Sequence, residues 1–150
     1  MLLNNGYVVK DKLLLIMTQE DKELLLKDLC ARLPYGVKVS IDDTQWCDFC
    51  KDIPYKITLE NSYRILSGVR LGFVKPYLFP LSSMTEEQKN DCPIDETNLN
   101  IIKSNIGYGI IEIPWQLSYL FIDWCNKNHF DYHGLIPMGL SIDATGKNIY

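Results

Sequence analysis

The stretch that decides the fold is residues 18–41, which read TQEDKELLLKDLCARLPYGVKVSI. Thr18 with Asp21 approximates a capping box, in which the threonine hydroxyl accepts a backbone N–H at the start of a helix. Pro34 and Gly36 are residues that end a helix. Between these signals, helical spacing predicts an apolar stripe that consists of Leu24, Leu25, Leu26, Leu29, Cys30 and Leu33. The residues expected on the opposite, solvent-facing side are Lys22, Glu23, Lys27, Asp28 and Arg32.

The same stretch ends in Val37-Lys38-Val39-Ser40-Ile41, an alternation that is typical of a half-buried strand. A second alternation spans residues 55–59, and two shorter runs follow at residues 63–66 and 69–74. Short strands with frequent turn signals favour an antiparallel meander or a small barrel. The sequence therefore predicts a small antiparallel sheet or barrel over roughly residues 37–74.

The next segment, residues 75–81, reads KPYLFPL and contains two prolines. Because proline removes a backbone donor, this segment is expected to lie extended across the core and not to form a central strand. A short helix is expected just after it, ended by Pro93. Residues 93–100 are expected to form a loop, and residues 101–102 and 108–113 are expected to form strands.

A second main helix is predicted for residues 114–128. Pro114 suits a first helical position, and almost every residue from there to Trp124 is apolar or aromatic. A helix that is apolar nearly all round is expected to be buried on several sides. The side chains expected in the core are Trp115, Leu117, Leu120, Phe121 and Trp124. The tail over residues 134–150 is expected to consist of loops and short extended pieces.

These elements predict an α+β fold in which the small sheet packs against the helices at residues 18–33 and 114–128. A length of 150 residues suits one domain, here residues 1–150. Hydrophobic residues make up 47% of the chain and charged residues 23%, which excludes a disordered or fibrous protein. Residues 1–16 fit either an edge hairpin or a dispensable N-terminal extension.

The charge balance and the N-terminal residues restrict the expected location and partners. Fifteen Lys and Arg against nineteen Asp and Glu give a net charge of −4, which does not favour nucleic acid or an anionic membrane. No signal peptide or membrane span is expected from the sequence. Five cysteines, an odd number, argue against a disulfide framework, so a cytoplasmic protein with five free thiols is expected.

Two cysteines, Cys47 and Cys50, follow Trp46 in a WCxxC arrangement that resembles a thioredoxin-type redox pair or half of a zinc site. A redox cysteine must sit at a helix N-terminus, but Pro54 would disrupt a helix that starts here. Asp48 opposes thiolate formation. We therefore interpret the pair as part of a loop. A fuller zinc site would recruit ligands from Cys92, Cys125, His129 and His133.

His129, Asp131 and His133 form a candidate metal site. On a strand, residues at alternate positions point to one side, so two imidazoles and a carboxylate would converge there as ligands for iron or zinc. The alternative is a loop at the end of a helix, in which these residues cap backbone groups and the intervening aromatic residues pack inward.

A second candidate site lies in residues 61–85, which contain basic and aromatic residues and no acidic residue. On a curved sheet these residues would form a stacking surface for a nucleotide or a single-stranded RNA. The residues proposed to contact such a ligand are Arg64, Arg70, Lys75 and Tyr77. The alternative is that the basic residues line the solvent face of strands whose aromatic residues are core.

Three blocks of the sequence resemble a family of small uncharacterised proteins from gut anaerobic bacteria and their phages. They are residues 24–37 (LLLKDLCARLPYGV), residues 74–85 (VKPYLFPLSSMT) and residues 123–136, which run from Asp-Trp to HFDYHGLI. The blocks cover about a third of the chain. The resemblance implies a bacterial or phage accessory protein, and it implies no catalytic residue or ligand.

The sequence contains neither a Gly-flanked serine nor a phosphate-binding glycine loop. The leading functional hypothesis is therefore a non-catalytic binding or regulatory module that has no cofactor and an unidentified protein or small-ligand partner. The alternative from another class is a metal-dependent enzyme that uses His129, Asp131 and His133. A third hypothesis is the nucleotide or RNA binder described above.

Overall fold

The structure is a computed structural model that describes residues 17–41, 53–105 and 115–150, without the side chains at positions 115–117. The described helices are α1 (Gln19–Arg32), α2 (Ser62–Leu71), α3 (Glu86–Asp91), α4 (Glu96–Asn105) and α5 (Trp115–Asn128). The described strands are β1 (Lys38–Ile41), β2 (Tyr55–Lys56), β3 (Val74–Pro80), β4 (Phe130–Asp131) and β5 (Ile142–Asp143). The α+β class is confirmed. The expectations for residues 1–16, for the Cys47–Cys50 loop and for a strand at 108–113 lie outside the described residues.

The strands form one mixed sheet in the order β2-β1-β3-β4, with β5 also paired to β3. β1 is antiparallel to both β2 and β3, whereas β4 and β5 run parallel to β3. The parallel partners follow α5, because a parallel pair needs a long connection between its strands. The sheet is therefore mixed and open, and the barrel alternative is wrong.

β3 is the central strand, which contradicts the expectation that the two prolines of residues 75–81 exclude this role. Pro76 stands opposite Val39 at the end of the β1 ladder, and Pro80 is the last residue of the strand. Between them, the Phe79 N–H donates to the His129 carbonyl at 2.9 Å, and the Leu78 carbonyl accepts from the Ala144 N–H at 2.8 Å. The pairings of β3 with β1 and with β4 are short, so each proline lies at the end of a ladder.

α1 begins as the sequence predicts and buries a different side. The Thr18 hydroxyl accepts from the Asp21 N–H at 3.1 Å, and the Asp21 carboxylate accepts from the Thr18 N–H at 3.1 Å. The buried residues of the helix are Leu25, Asp28, Leu29 and Arg32. The prediction that Asp28 and Arg32 face solvent is wrong, as is the prediction that Leu26 and Cys30 face the core, because both are exposed.

α2 occupies Ser62–Leu71, where the sequence analysis expected strands at residues 63–66 and 69–74. Ile65 and Val69, four residues apart, face the core as one helical stripe. Gly72 ends the helix at φ 82°, and the Phe73 N–H donates to the Gly68 carbonyl at 3.1 Å. This is a common glycine-terminated helix end, and it turns the chain directly into β3.

Gly68 allows α2 to approach β3 closely. A Cβ at this position would lie 2.8 Å from Cγ2 of Val74, which is fully buried. We expect Gly68→Ala to lower the free energy of unfolding by roughly 1–3 kcal/mol, because overpacking outweighs the helix propensity that alanine gains. Chemical denaturation measures the change. Ser67→Ala on the exposed side of the same helix is the control, and equal stability of both variants would contradict the close contact.

α3 confirms the short helix expected before Pro93, with a capping box formed by Thr85 and Gln88. The loop expected at residues 93–100 is wrong from position 96 onward, and the strand expected at 101–102 is also wrong, since α4 covers both. The Asp95 carboxylate accepts from the Asn98 N–H at 2.8 Å and starts this helix. Its buried residues, Leu99 and Ile102, are spaced for one helical face.

α5 confirms the second main helix, but it is not buried all round. Phe121 is fully buried, and the half-buried Trp124 ring stacks between Phe121 and Phe130 with centroids 6.5 and 5.3 Å away. The expectation for Leu120 is wrong, since it is 51% exposed. The expectations for the side chains of Trp115 and Leu117 lie outside the described part of the structure.

The buried apolar side chains form two clusters that meet at β3. Leu78 of β3 belongs to the first cluster, while Phe79 packs against the second. The first also contains residues of α1, of β1 and the position before it, and of α2, namely Leu25, Leu29, Val37, Val39, Ile65 and Val69. The second is built from α4, α5 and β4, namely Leu99, Ile102, Phe121, Cys125 and Phe130. Alternation along the central strand thus supplies both clusters.

Candidate functional site

A fully buried ion pair lies on α1. Arg32 donates to the Asp28 carboxylate from Nε at 2.8 Å and from Nη2 at 3.0 Å, and both side chains are fully buried. The two residues are one helical turn apart on α1, so the helix itself sets their separation. A two-point contact of this kind is the strongest geometry that arginine and a carboxylate form.

Arg32 also joins α1 to the C-terminal part of the chain. Its Nη2 donates to the Phe130 carbonyl at 2.8 Å and its Nη1 to the Cys125 carbonyl at 3.4 Å. The Cζ atom of Arg32 lies over the Tyr132 ring, 5.2 Å from the ring centroid. The guanidinium is therefore bound on several sides, and it links α1 to the end of α5 and to β4.

His133 extends this pair into what we call the charged cluster: Asp28, Arg32 and His133. His133 Nδ1 lies 3.0 Å from Asp28 Oδ1, and 24% of the His133 side chain is exposed. Among the described residues, its other nitrogen, Nε2, has no hydrogen-bond partner. The cluster thus runs from the buried pair to a nitrogen that solvent can reach.

The charges in the cluster favour an ionised pair. Burial alone raises the pKa of Asp28, but the hydrogen bond from His133 and the charge of Arg32 outweigh it and bring the pKa below its usual value. Burial lowers the pKa of Arg32, but the charge and the hydrogen bonds of the neighbouring Asp28 carboxylate together outweigh this effect. The pKa of Arg32 is therefore above its usual value. Each ion keeps the other charged although both side chains are fully buried.

His129 lies apart from this cluster, under Tyr150. The two rings stack with centroids 3.8 Å apart, and the Tyr150 hydroxyl donates to the Tyr77 carbonyl at 2.8 Å. His129 has a backbone φ of 61°, and its buried Nδ1 has no partner among the described residues. Burial, and next the charges of Arg32 and Lys38, lower the pKa of His129 to about 4. The imidazole is therefore neutral near pH 7.

The three residues of the predicted metal site serve different contacts. The Asp131 carboxylate accepts from the backbone N–H groups of Leu135 at 2.9 Å and Ile136 at 2.8 Å. His133 turns to Asp28, and His129 lies beneath Tyr150. Within the described residues there is no group of three histidine, cysteine or acidic side chains that could hold a metal ion. The capping alternative accounts for Asp131, and the metal site stays a prediction.

The predicted basic and aromatic sheet face is not one surface of a sheet. Arg64 and Arg70 are exposed on α2, because the strands that were to carry them form a helix. Lys75 lies on β3 and is only partly exposed, and Tyr77 is buried on that strand. The structure therefore keeps the two arginines together on one element and places Tyr77 in the interior.

The exposed side of α2 forms what we call the α2 surface: Leu59, Tyr63, Arg64, Arg70 and Leu71. These side chains lie opposite the buried stripe of the helix, with Leu59 in the turn that precedes it. Leu59 is 90% exposed, Tyr63 82% and Leu71 61%. The surface thus combines large apolar groups with two cations, and the adjacent acidic residue is Glu60, exposed beside Leu59 in the same turn.

The cysteines of the described part are thiols. Cys30 is exposed, Cys92 is partly buried and Cys125 is buried, and each is free. Burial raises the pKa of Cys125 well above its usual value, so this thiol stays protonated. Cys47 and Cys50 lie outside the described residues, so the interpretation of that pair stays a prediction.

The sequence analysis missed two features of the site, the buried pair of Asp28 and Arg32 and its contact with His133. The first of these had a local signal. Positions 25, 28, 29 and 32 follow helical spacing, so Asp28 and Arg32 share a side with two leucines. An oppositely charged pair inside a leucine stripe indicates a buried ion pair. Its contact with His133, 105 residues further along the chain, has no local signal.

Comparison of the chain with protein-family models, with curated proteins and with solved structures finds no match. In the part of the chain that the structure describes, no helix has the length and apolar character needed to cross a membrane.

Proposed function

We propose that the protein is a binding module that docks onto another protein through the α2 surface. The observation that carries this proposal is the exposure of Leu59, Tyr63 and Leu71 beside Arg64 and Arg70 on one side of a short helix. Tyrosine and arginine are enriched in protein interfaces, and a few such residues carry most of the binding energy. Tyr63, an aromatic residue that is 82% exposed, is the proposed anchor of this interface.

The charge of the α2 surface indicates the chemistry of the partner. Arg64 and Arg70 outnumber Glu60, the exposed acidic residue in the turn before α2, although the whole chain carries a net charge of −4. Complementary charges steer association and reject wrong partners. The partner is therefore a protein segment that presents apolar side chains flanked by aspartate or glutamate.

A nucleic acid is the less favoured occupant of the same surface. Proteins that bind single strands combine stacking residues with a groove of many cations, whereas the α2 surface has two arginines on an acidic protein. The side chains of Leu59 and Leu71 also cannot form hydrogen bonds or ion pairs with phosphate groups. Two exposed leucines next to one tyrosine favour a protein.

The proposal is tested by selecting peptides from a displayed random library on the full chain. We expect the selected peptides to carry acidic and apolar residues together. A Tyr63→Ala/Arg70→Glu variant should bind them more than tenfold more weakly, the effect of losing about 2 kcal/mol at a binding hot spot. Fluorescence anisotropy with a labelled selected peptide measures the affinities.

The matched control removes a tyrosine and reverses a positive charge on another exposed helix side, as Tyr119→Ala/Lys127→Glu on α5. The control should bind as the wild type does. Selected peptides that are basic, or that bind the α2 variant and the wild type equally, would refute the proposed surface. Circular dichroism of both variants verifies that their folds are intact.

We also propose a cytoplasmic accessory protein of bacterial or phage type as the setting for this module. The support is the sequence resemblance of residues 24–37, 74–85 and 123–136 together with the odd number of cysteines. The free thiols of Cys30, Cys92 and Cys125 are consistent with a reducing compartment. Fractionation of the native host with an antibody against the protein would test the location.

A further inference from the structure

His133 is held by the buried Asp28 carboxylate on one side and is partly exposed on the other. Arg32 donates one hydrogen bond to each oxygen of the Asp28 carboxylate, and Asp28 Oδ1 also accepts from His133 Nδ1 at 3.0 Å. The turn that carries His133 is fixed on its other side by Asp131, which accepts two backbone N–H groups. Asp28 therefore orients the imidazole, while Asp131 fixes the backbone of the turn that follows.

This orientation defines the chemistry of the outer nitrogen. When His133 is neutral, its Nδ1 carries the proton that Asp28 accepts, so the lone pair of the ring is on Nε2. The ring is 24% exposed, and Nε2 binds no other described residue. A carboxylate behind an imidazole orients the ring and stabilises the positive charge that forms when the outer nitrogen reacts.

We propose that His133 Nε2 is a nucleophile that accepts an acyl group from an uncharged activated ester. This site is separate from the α2 surface and does not rest on the binding function. Its components are the nucleophile His133, which touches the substrate, and Asp28, a positioning residue that acts through His133.

The reaction balances without a cofactor. The Nε2 lone pair forms a bond to the acyl carbon, and the bond from that carbon to the leaving alkoxide or phenoxide oxygen breaks. The ring becomes an acylimidazolium whose Nδ1 proton remains hydrogen-bonded to Asp28. Water then adds to the acyl carbon, the Nε2–carbon bond breaks, and a carboxylate and a neutral imidazole result, with protons released to solvent.

The surroundings indicate an uncharged substrate. Arg32 is fully buried, and its donors are engaged by Asp28 and by the carbonyls of Phe130 and Cys125. Arg32 therefore cannot donate a hydrogen bond to an anionic substrate at the surface. Tyr132, whose ring centroid is 4.2 Å from that of His133, adds an aromatic wall.

The test uses 4-nitrophenyl acetate with the full chain. We expect 4-nitrophenolate release at least tenfold faster for the wild type than for His133→Ala. Mass spectrometry of acid-quenched samples should place one acetyl group on His133. His133→Asn is the second variant, because its side-chain N–H can still donate to Asp28 while it lacks a nucleophilic nitrogen. It should also lose the reaction while melting near the wild-type temperature.

His129→Asn is the matched control, since the buried His129 should not react. Added imidazole should accelerate release with His133→Ala beyond the sum of the rates with imidazole alone and with the variant alone, which a purely structural role of His133 would not allow. Equal rates for the wild type and both His133 variants, or an acetyl group found on another residue, would overturn the proposal. Either result would leave the peptide-binding test of the α2 surface unaffected.

Discussion

An Arg32→Met protein is expected to lose about 3–5 kcal/mol of unfolding free energy, because the change leaves the Asp28 carboxylate buried without its counter-ion. Both side chains are fully buried, so water cannot replace the lost contacts. The variant also removes the donors to the Phe130 and Cys125 carbonyls. A loss of this size is comparable to the whole stability of many domains, so the protein is expected to unfold well below the wild-type temperature.

The double variant Asp28→Leu/Arg32→Met distinguishes the cost of an unpaired Asp28 charge from the cost of losing the contacts of Arg32. Replacing a buried pair by apolar residues of similar volume is often neutral, so the double variant should be clearly more stable than Arg32→Met alone. Urea denaturation at pH 7 measures all three proteins. If the double variant were as unstable as the single one, the carbonyl contacts of Arg32 and not the charge of Asp28 would dominate.

Acidification is expected to destabilise the protein through His129, between pH about 6.5 and about 4. The pKa of His129 is lowered to about 4 in the folded protein, from 6.5 for an ordinary histidine. In that window the unfolded chain binds a proton that the folded protein excludes, so stability falls as the pH falls. The loss from this residue amounts to at most about 3 kcal/mol and is complete below pH 4.

His129→Asn isolates this contribution. Asparagine does not titrate and tolerates the positive φ of 61° at this position. The variant is expected to lose the Tyr150 stack, and its unfolding free energy should change less with pH between 6.5 and 4 than that of the wild type. Urea denaturation over this pH range gives both slopes. Parallel slopes for the two proteins would show that His129 takes up its proton without unfolding.

Local signals were sufficient for part of the fold. The capping box at Thr18 and the apolar run after Pro114 correctly predicted the two long helices, because caps and periodicity act within a few residues. The failure at α2 has a physical reason. Ile65 and Val69 suit a strand by propensity, but packing of Gly68 against Val74 and the Gly72 end favour a helix.

The candidate site was harder to predict, because its contacts join distant parts of the chain. The rule that charged residues face solvent fails at Asp28 and Arg32, which are buried because they neutralise each other. His133 was recognised as a chemically useful residue, but its partner was not, since Asp28 lies in α1. The α2 surface depends on which side of a helix is covered, and that required the helix to be identified first.

The position of β3 has a consequence for the order in which the chain folds during synthesis. One edge of this strand pairs with β1, which the ribosome has already released, but the partners of the other edge, β4 and β5, follow α5. Until they emerge, the backbone of Leu78 and Phe79 lacks its final partners. Such pairings between distant segments slow folding and leave a strand edge open to neighbouring chains. The nascent protein is therefore most prone to aggregate while β3 has emerged from the ribosome and β4 and β5 have not.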